Sequence, residues 1–392
     1  PSRTGLMTVR TPTRVGVSNW IPMLSPMHVS SKEFTIAKLL QENGYDTAHI
    51  GKWHLNGRFN LTGQPQPNNH GFKHWFSTQN NALPNHKNPY NFVRNGIPVG
   101  PIKGFSAQIV TDEAIRWLRT ERDKEKPFFL FVCYHEPHEP IATNPKFAKL
   151  HLSDDPSYSA YWGNVTQMDT AFGRLMAEVD RLKLSDNLFT LFTSDNGPAR
   201  TGFHPHGETG SLRDRKGWLT EGGIRVPGIL RWPGKTHPGS ISEVPISGVD
   251  LLPTLCEIAG IEEPADRAID GTSFLPLLTD KPMQRQTPLY WHFYAASGKP
   301  KVAMRMGDWK ILAHLDTPEI TKRVDLTTRD QKTLKTAKLG EFELYNLRKD
   351  PSESNDLASL EADRLEKMSK RLQEIHVGVQ KECPVWPEWE WA

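Results

Sequence analysis

Three apolar runs in this chain each give way at once to a dense polar cluster. "YDTAHI" (45–50) leads into "GKWHLNG", with Lys52 and His54; "PFFLFVCY" (127–134) leads into "HEPHEP", with His135 and His138; "NLFTLFTS" (187–194) leads into "DNGP", with Asp195 and Asn196. Asp195 and Asn196 offer hard oxygen ligands, which suit Ca²⁺, or less well Mg²⁺, rather than a softer metal. Arg3, Lys52 and Lys216 add positive charge, and His54 and His138 can move protons near neutral pH. A hard cation among lysines and histidines is chemistry for an oxyanion ester, sulfate or phosphate. The leaving oxygen gains charge in the transition state, and fixed cations lower that barrier. No Ser, Thr or Cys inside the clusters stands out as a nucleophile. Each cluster also has a plainer reading. Asp-Asn-Gly is ordinary turn chemistry, lone lysines are solvated by default, and a zinc site at His135 and His138 would need ligands that the cysteines do not provide.

The elements around these clusters set whether they can meet. In open α/β sheets, ligands bind beyond the carboxyl ends of the strands. If the three runs are parallel neighbours, their polar clusters converge on one site. The runs at 127–134 and 187–194 have the look of strands buried on both faces. Ser30 and Glu33 form a capping box for a helix expected to reach Asn43, with Gly44 as its stop. Helices are also expected near 106–122 and over 157–182, and another from an Asp250 cap to Ala259, closed by Gly260. Ser2 and Arg3 are expected just before a helix N-terminus, a place that favours an anion. Helical and strand-like segments alternate up to about residue 280, the signature of an α/β layer fold. After "DKPMQRQTP" the pattern changes to short antiparallel strands with a turn at Gly307-Asp308, then a charged amphipathic helix over 359–376. We therefore expect a catalytic α/β domain over 1–282 and a smaller α+β domain over 283–392, with 316–338 as an exposed insertion.

Bulk properties exclude other classes. The chain has 392 residues, with 48 basic and 45 acidic side chains and a formal charge of +3, which gives no broad nucleic-acid footprint. No apolar run approaches the ~20 residues of a membrane span. The three cysteines, Cys133, Cys256 and Cys383, match no zinc or redox spacing, and Cys133 in an apolar run and Cys256 on an apolar helix face read as buried thiols.

At these residues the chain resembles a formylglycine-dependent sulfatase of the arylsulfatase and N-acetylgalactosamine-6-sulfatase type. The family's first signature is Cys-x-Pro-Ser-Arg followed by x-x-Leu-x-Thr-Gly-Arg; "PSRTGLMTVR" matches from its proline onward, with Val9 in place of the usual glycine. The second signature stands whole as "GYDTAHIGKWHL" (44–55). "HEPHEP", "SDNGP", "LRDRKGWLTEGGIRVPGILRWPG" and "GVDLLPTLCEIAG" follow in the family's order.

The resemblance implies an alkaline-phosphatase-like α/β fold, with a mostly parallel sheet flanked by helices and a short antiparallel sheet in the C-terminal part. It also implies hydrolysis of an aryl or carbohydrate sulfate ester. Arg3 and Lys52 would hold the formylglycine hydrate and sulfate, and His54 would take a proton. His138 and Lys216 would serve the leaving alcohol, and Asp195 and Asn196 would ligate Ca²⁺. The formylglycine precursor, Cys or Ser, belongs two residues before Pro1, and two further aspartate ligands belong upstream of it. The chain is thus expected to be a fragment, inactive as it stands. The implied partners are a sulfated small molecule or glycan and a formylglycine-generating enzyme, in a periplasmic or secreted setting. The competing expectations are a phosphate or phosphonate ester hydrolase of the same superfamily and a non-catalytic binding remnant.

Overall fold

Period-two alternation in the apolar runs builds the main sheet. Its strands are β1 (Asp46–Lys52), β2 (His74–Thr78), β3 (Val93–Arg94), β4 (Ile97–Pro98) and β5 (Phe128–Cys133), in spatial order β4-β3-β2-β1-β5. The protein is described by a computed structural model that covers residues 1–202, 204–317 and 327–389. β1 runs parallel to both neighbours, with Ala48 opposite His74 on one side and Leu130 on the other. β3 and β4 are short antiparallel additions. β6 (Thr190–Thr193) and β7 (Gly228–Arg231) pair antiparallel as a separate two-stranded sheet. β8 (Leu289–His292), β9 (Val302–Met306), β10 (Trp309–Asp316) and β11 (Lys338–Asn346) form an antiparallel sheet in the order β11-β10-β9-β8.

The helices are α1 (Ser2–Thr8), α2 (Ile36–Glu42), α3 (Ser106–Arg116), α4 (Pro145–Ala148), α5 (Pro156–Arg181), α6 (Glu221–Ile224), α7 (Leu251–Ala259), α8 (Thr328–Thr336) and α9 (Ala362–Glu382). α5 begins where Asp155 accepts a hydrogen bond from the Ser157 N–H at 2.8 Å, with Pro156 at its first position. Ile50, Leu130 and Val132 pack with Val110 and Trp117 of the α3 region and with Leu175 and Val179 of α5. The alternate residues Phe129 and Phe131 point to the opposite face, toward Met7, Trp53 and Phe72. A third core joins α2, α7 and the β6–β7 pair through Leu39, Leu252, Leu191 and Leu230. α9 closes the C-terminal sheet with Met368, Leu372, Ile375 and Val379. No described helix is long and apolar enough to cross a membrane.

The mixed, mostly parallel sheet flanked by helices and the C-terminal antiparallel sheet are as expected. Several local expectations are corrected. α2 starts at Thr35, whose hydroxyl accepts from the Lys38 N–H at 3.1 Å; Ser30 and Glu33 instead close a turn, Glu33 N–H to Ser30 carbonyl at 3.0 Å. Arg3 lies within the first turn of α1 rather than before it. Asp250 does not cap α7 with its side chain. Its carboxylate takes the Ser247 N–H at 2.7 Å and Arg285 at 2.6 Å. The 316–338 stretch is not simply an exposed insertion: 318–326 lie outside the described residues, and α8 follows a Thr327–Asp330 capping box and buries Gln331 and Leu334. β6 is not hydrogen-bonded to β5, and both runs are only half-buried along most of their length. Each has one edge with no strand partner among the described residues.

Val9 caps α1 with φ +62 and is fully buried. This left-handed conformation costs a β-branched residue roughly 1–2 kcal/mol, which gives a physical reason for glycine in the signature. The Val9 side chain recovers part of that cost by packing among Ile36, Leu39 and Leu252.

Candidate active site

Lys52 is the last residue of β1 and is buried. Gly51 before it has φ +106, and a Cβ there would lie 1.9 Å from the Cys133 carbonyl oxygen, so only glycine lets β1 and β5 approach this closely. The Lys52 ammonium reaches Asn81 Oδ1 at 3.4 Å. Burial, then the charges of Arg3 and Lys216, lower its pKa to about 7 against the pull of Asp195. Two residues on, His54 takes φ +56 and donates its backbone N–H to the Gln79 carbonyl at 2.8 Å. Its Nε2 sits 3.0 Å from the Ile21 carbonyl, which can only accept, so the proton is on Nε2 and the Nδ1 lone pair is open. Burial, then Lys52 and Arg3, hold this imidazole neutral, well below its ordinary value.

The loop after β5 contributes the second imidazole. His135 is structural: it bonds Thr78 Oγ1 at 2.8 Å and packs edge-on against Phe92. His138 donates from Nδ1 to the Glu139 carbonyl at 2.8 Å, leaving Nε2 without a proton. Burial, then Lys216 and Lys52, push its pKa down to about 3. Asn81 ties the two loops together by donating to the same Glu139 carbonyl at 2.9 Å.

The loop after β6 supplies Asp195, which pairs with Arg3 Nη1 of α1 at 3.2 Å. Desolvation by the surrounding loops opposes its ionisation, but Arg3, Lys52 and Lys216 outweigh this and hold its pKa at about 2. Asn196 donates its Nδ2 to the Gly197 carbonyl at 2.9 Å, which leaves Oδ1 as a possible ligand. This loop is fastened to the Lys216 loop. Gly197 N–H bonds the Gly223 carbonyl at 3.0 Å, and Lys216 N–H bonds the Pro198 carbonyl at 3.0 Å. A Cβ on Gly197 would lie 1.9 Å from the Gly222 carbonyl oxygen, so the close approach depends on glycine there too.

Arg3, Lys52, His54, His138, Asp195 and Lys216 thus lie around one crevice, where the charges of Arg3, Lys52 and Lys216 act on Asp195 and those of Lys52 with Arg3 or Lys216 act on His54 and His138. Three cationic side chains surround one carboxylate, and the buried Arg3 Nε has no hydrogen-bond partner among the described residues. Two members were missed in the sequence. Cys133 was read only as a buried thiol, yet it lies beside Arg3, whose charge opposes the upward push of burial on its pKa. Asn81 lies in the Asn-rich stretch 77–92, whose composition was the available signal. As a metal site the residues present are incomplete. Asp195 and Asn196 offer at most three oxygens against the six to eight that Ca²⁺ takes, and the described residues contain no group of three or more His, Cys, Asp or Glu placed to hold a metal. The oxygen chemistry of the pair still fits part of a hard-cation shell.

Fold and crevice together define an α/β protein of the alkaline-phosphatase-like type, with a crevice rich in cationic side chains at the carboxyl ends of its strands. The family model described as "Sulfatase" matches residues 1–261, and one described as "N-sulphoglucosamine sulphohydrolase, C-terminal" matches 207–338. The chain belongs to the sulfatase family. N-acetylgalactosamine-6-sulfatase of Mus musculus is 30% identical over 345 residues, covering 81% of this chain and 62% of that protein. Steryl-sulfatase of Rattus norvegicus is 28% identical over 374 residues, covering 75% of this chain and 64% of that protein. The chain therefore spans less than two thirds of the length of these relatives. The crystal structure of Ps i-CgsB in complex with k-i-k-neocarrahexaose superimposes with a TM-score of 0.78 at 25% identity, covering 99% of this chain and 84% of that one.

Proposed function

We propose that the protein hydrolyses the sulfate ester of an aryl or carbohydrate alcohol. The observation that carries this reading is the cationic trio of Arg3, Lys52 and Lys216 around Asp195, flanked by two neutral imidazoles with fixed tautomers. Arg3 and Lys52 bind the sulfate oxygens, and the unpartnered Arg3 Nε is a donor ready for one of them. His54 accepts a proton at Nδ1, the only ring nitrogen its hydrogen bond leaves open. His138 faces the leaving oxygen with an unprotonated Nε2, so it orients rather than donates at rest. Lys216 supplies the positive charge and the proton as the alcohol departs. A formylglycine from a Cys or Ser two residues before Pro1 would supply the nucleophilic oxygen. Asp195 and Asn196 would hold Ca²⁺ together with further oxygen ligands, and the ion would neutralise sulfate charge.

The same reading makes 1–282 the catalytic unit and 283–392 a smaller C-terminal one. It also includes a formylglycine-generating partner and a periplasmic or secreted location. Relatives are named N-acetylgalactosamine-6-sulfatase and arylsulfatase, and one structural neighbour was solved with k-i-k-neocarrahexaose, so both alcohol classes stay within reach.

The test is sulfate release by the complete gene product, co-expressed with a formylglycine-generating enzyme. Lys52→Ala and His54→Ala should each lower kcat by roughly 10²–10⁴-fold without lowering the unfolding midpoint. Hydrolysis of phosphate monoesters with no sulfate release from aryl or sugar sulfates would replace this proposal with the phosphatase reading.

A further inference from the structure

His54 can take a proton at Nδ1 only while its own proton stays on Nε2, and the Ile21 carbonyl keeps it there. The Ile21–Pro22 peptide has no N–H, so hydrogen bonds can hold it only through that carbonyl. His54 Nε2 donates to it at 3.0 Å, and the side-chain amide of Gln79 donates to it at 3.3 Å. The same amide donates to the Asn56 carbonyl at 2.9 Å. Both partners are carbonyl oxygens, which only accept, so Gln79 turns its Nε2 toward them and not its Oε1. The Gln79 backbone carbonyl in turn accepts the His54 N–H at 2.8 Å. One buried side chain and its own carbonyl thus touch the residue itself, the residue two places after it and the oxygen that holds its ring.

We propose that Gln79 is a positioning residue for the reaction: it pins the Ile21 carbonyl and so fixes the tautomer and direction of the His54 ring. The proposal rests on the sulfate-ester reading and adds to it a residue that acts through His54.

His54 needs such support. Its φ of +56 is a left-handed conformation that residues other than glycine adopt rarely. Trp53 N–H donates to the Thr78 carbonyl at 2.9 Å, so the pairing of β1 with β2 runs on past Lys52 and Thr78 and sets where the turn at His54 falls. Burial, Lys52 and Arg3 keep the ring neutral. The choice between its two neutral forms is left to hydrogen bonding. In the other tautomer the Nε2 lone pair would face the Ile21 oxygen, acceptor against acceptor. That repulsion is relieved only if the carbonyl swings away. The Gln79 amide spans Ile21 and Asn56, so the swing would strip a buried donor of its partner, which is costly. The Trp20 ring, one residue before Ile21 and 6.3 Å from the imidazole, belongs to the same held segment.

Nitrogen NMR of protein labelled at histidine reads the tautomer without any turnover, with the His54 signals identified by their loss in His54→Gln. In the parent, Nε2 should appear protonated and Nδ1 unprotonated. Gln79→Met keeps the side-chain length and removes both donors, and it should bring the two shifts together as the second tautomer becomes populated. Gln79→Asn, too short to span both carbonyls, should move them the same way by less, and stands in should Gln79→Met not fold. In the complete gene product, co-expressed with a formylglycine-generating enzyme, Gln79→Met should lower kcat for an aryl sulfate roughly 10–100-fold and leave KM within about twofold. Unchanged His54 shifts in both variants overturn the proposal, as does a parent ring protonated on Nδ1, or an unchanged kcat when the shifts do move. A tautomer that follows Gln79 in a parent protein that releases no sulfate would keep the hold on the ring and defeat the sulfate-ester reading.

Discussion

Lys52 has the most informative side chain in the crevice. Burial and its cationic neighbours Arg3 and Lys216 bring its pKa to about 7, with Asp195 pulling the other way and the Cys133 thiol beside Arg3. An anion binds the protonated form, so affinity should be greatest below that value and fall as pH rises through it. Inorganic sulfate should bind about tenfold more weakly at about pH 8 than at about pH 6. Lys52→Arg stays charged throughout and should flatten the profile. Calorimetric titration of sulfate across that range checks this, and a profile unchanged by Lys52→Arg would assign the dependence to another group. The imidazoles should contribute little to it, because both His54 and His138 are already neutral well below pH 6. That neutrality could not be read from sequence, where both histidines count as groups that titrate near neutrality. Only burial beside Lys52 moves them.

At the scale of elements, strand identity was legible and strand environment was not. The runs at 128–133 and 190–193 are strands, as apolar composition and length indicate, but their continuous apolar character suggested central positions in one parallel sheet. Each instead has a free edge among the described residues, and β6 pairs antiparallel with β7. Apolar periodicity reports which faces are buried. It does not report which hydrogen-bonding edge has a neighbour. Hydrogen exchange should show the consequence. Amides of β1, paired on both sides, should exchange roughly 10²-fold more slowly than those of β6. Equal protection in solution would mean that something covers the free edge. The misplaced start of α2 has a simpler cause: a tertiary contact fixes Thr35 as the cap, since Thr35 Oγ1 also donates to the His70 carbonyl at 2.6 Å.

At the scale of the whole molecule, one buried ionic cluster joins the C-terminal sheet to the segment that follows the Lys216 loop. Lys310 of β10 is fully buried and lies 3.0 Å from Glu221 of α6 and 2.8 Å from Glu353. Glu353 also accepts the Glu221 backbone N–H at 2.6 Å. Burial pushes the Glu353 carboxyl above its usual range even with Lys310 beside it. Lys310→Met should therefore cost about 3–5 kcal/mol by leaving buried Glu353 without its cation and Glu221 with only Arg305, 3.7 Å away. The triple change with Glu221→Gln and Glu353→Gln should recover much of that, as read from urea unfolding midpoints. A Lys310→Met midpoint equal to the parent's would show that the cluster does not hold the two parts together. Trp386 makes a second tie, donating its indole N–H to the Gly16 carbonyl at 2.8 Å.

Local pattern alone was enough for the family signatures, the alternation of strands and helices, and the residue types that could receive a sulfate. These features depend on neighbours a few positions apart. Whether the residues meet depended on contacts far apart in the chain: Arg3 reaches Asp195 across 192 positions, and Asn81 links Lys52 to the Glu139 carbonyl. Proton affinities and cavities arise from burial and charge summed over the packed whole, and no stretch of sequence carries that sum.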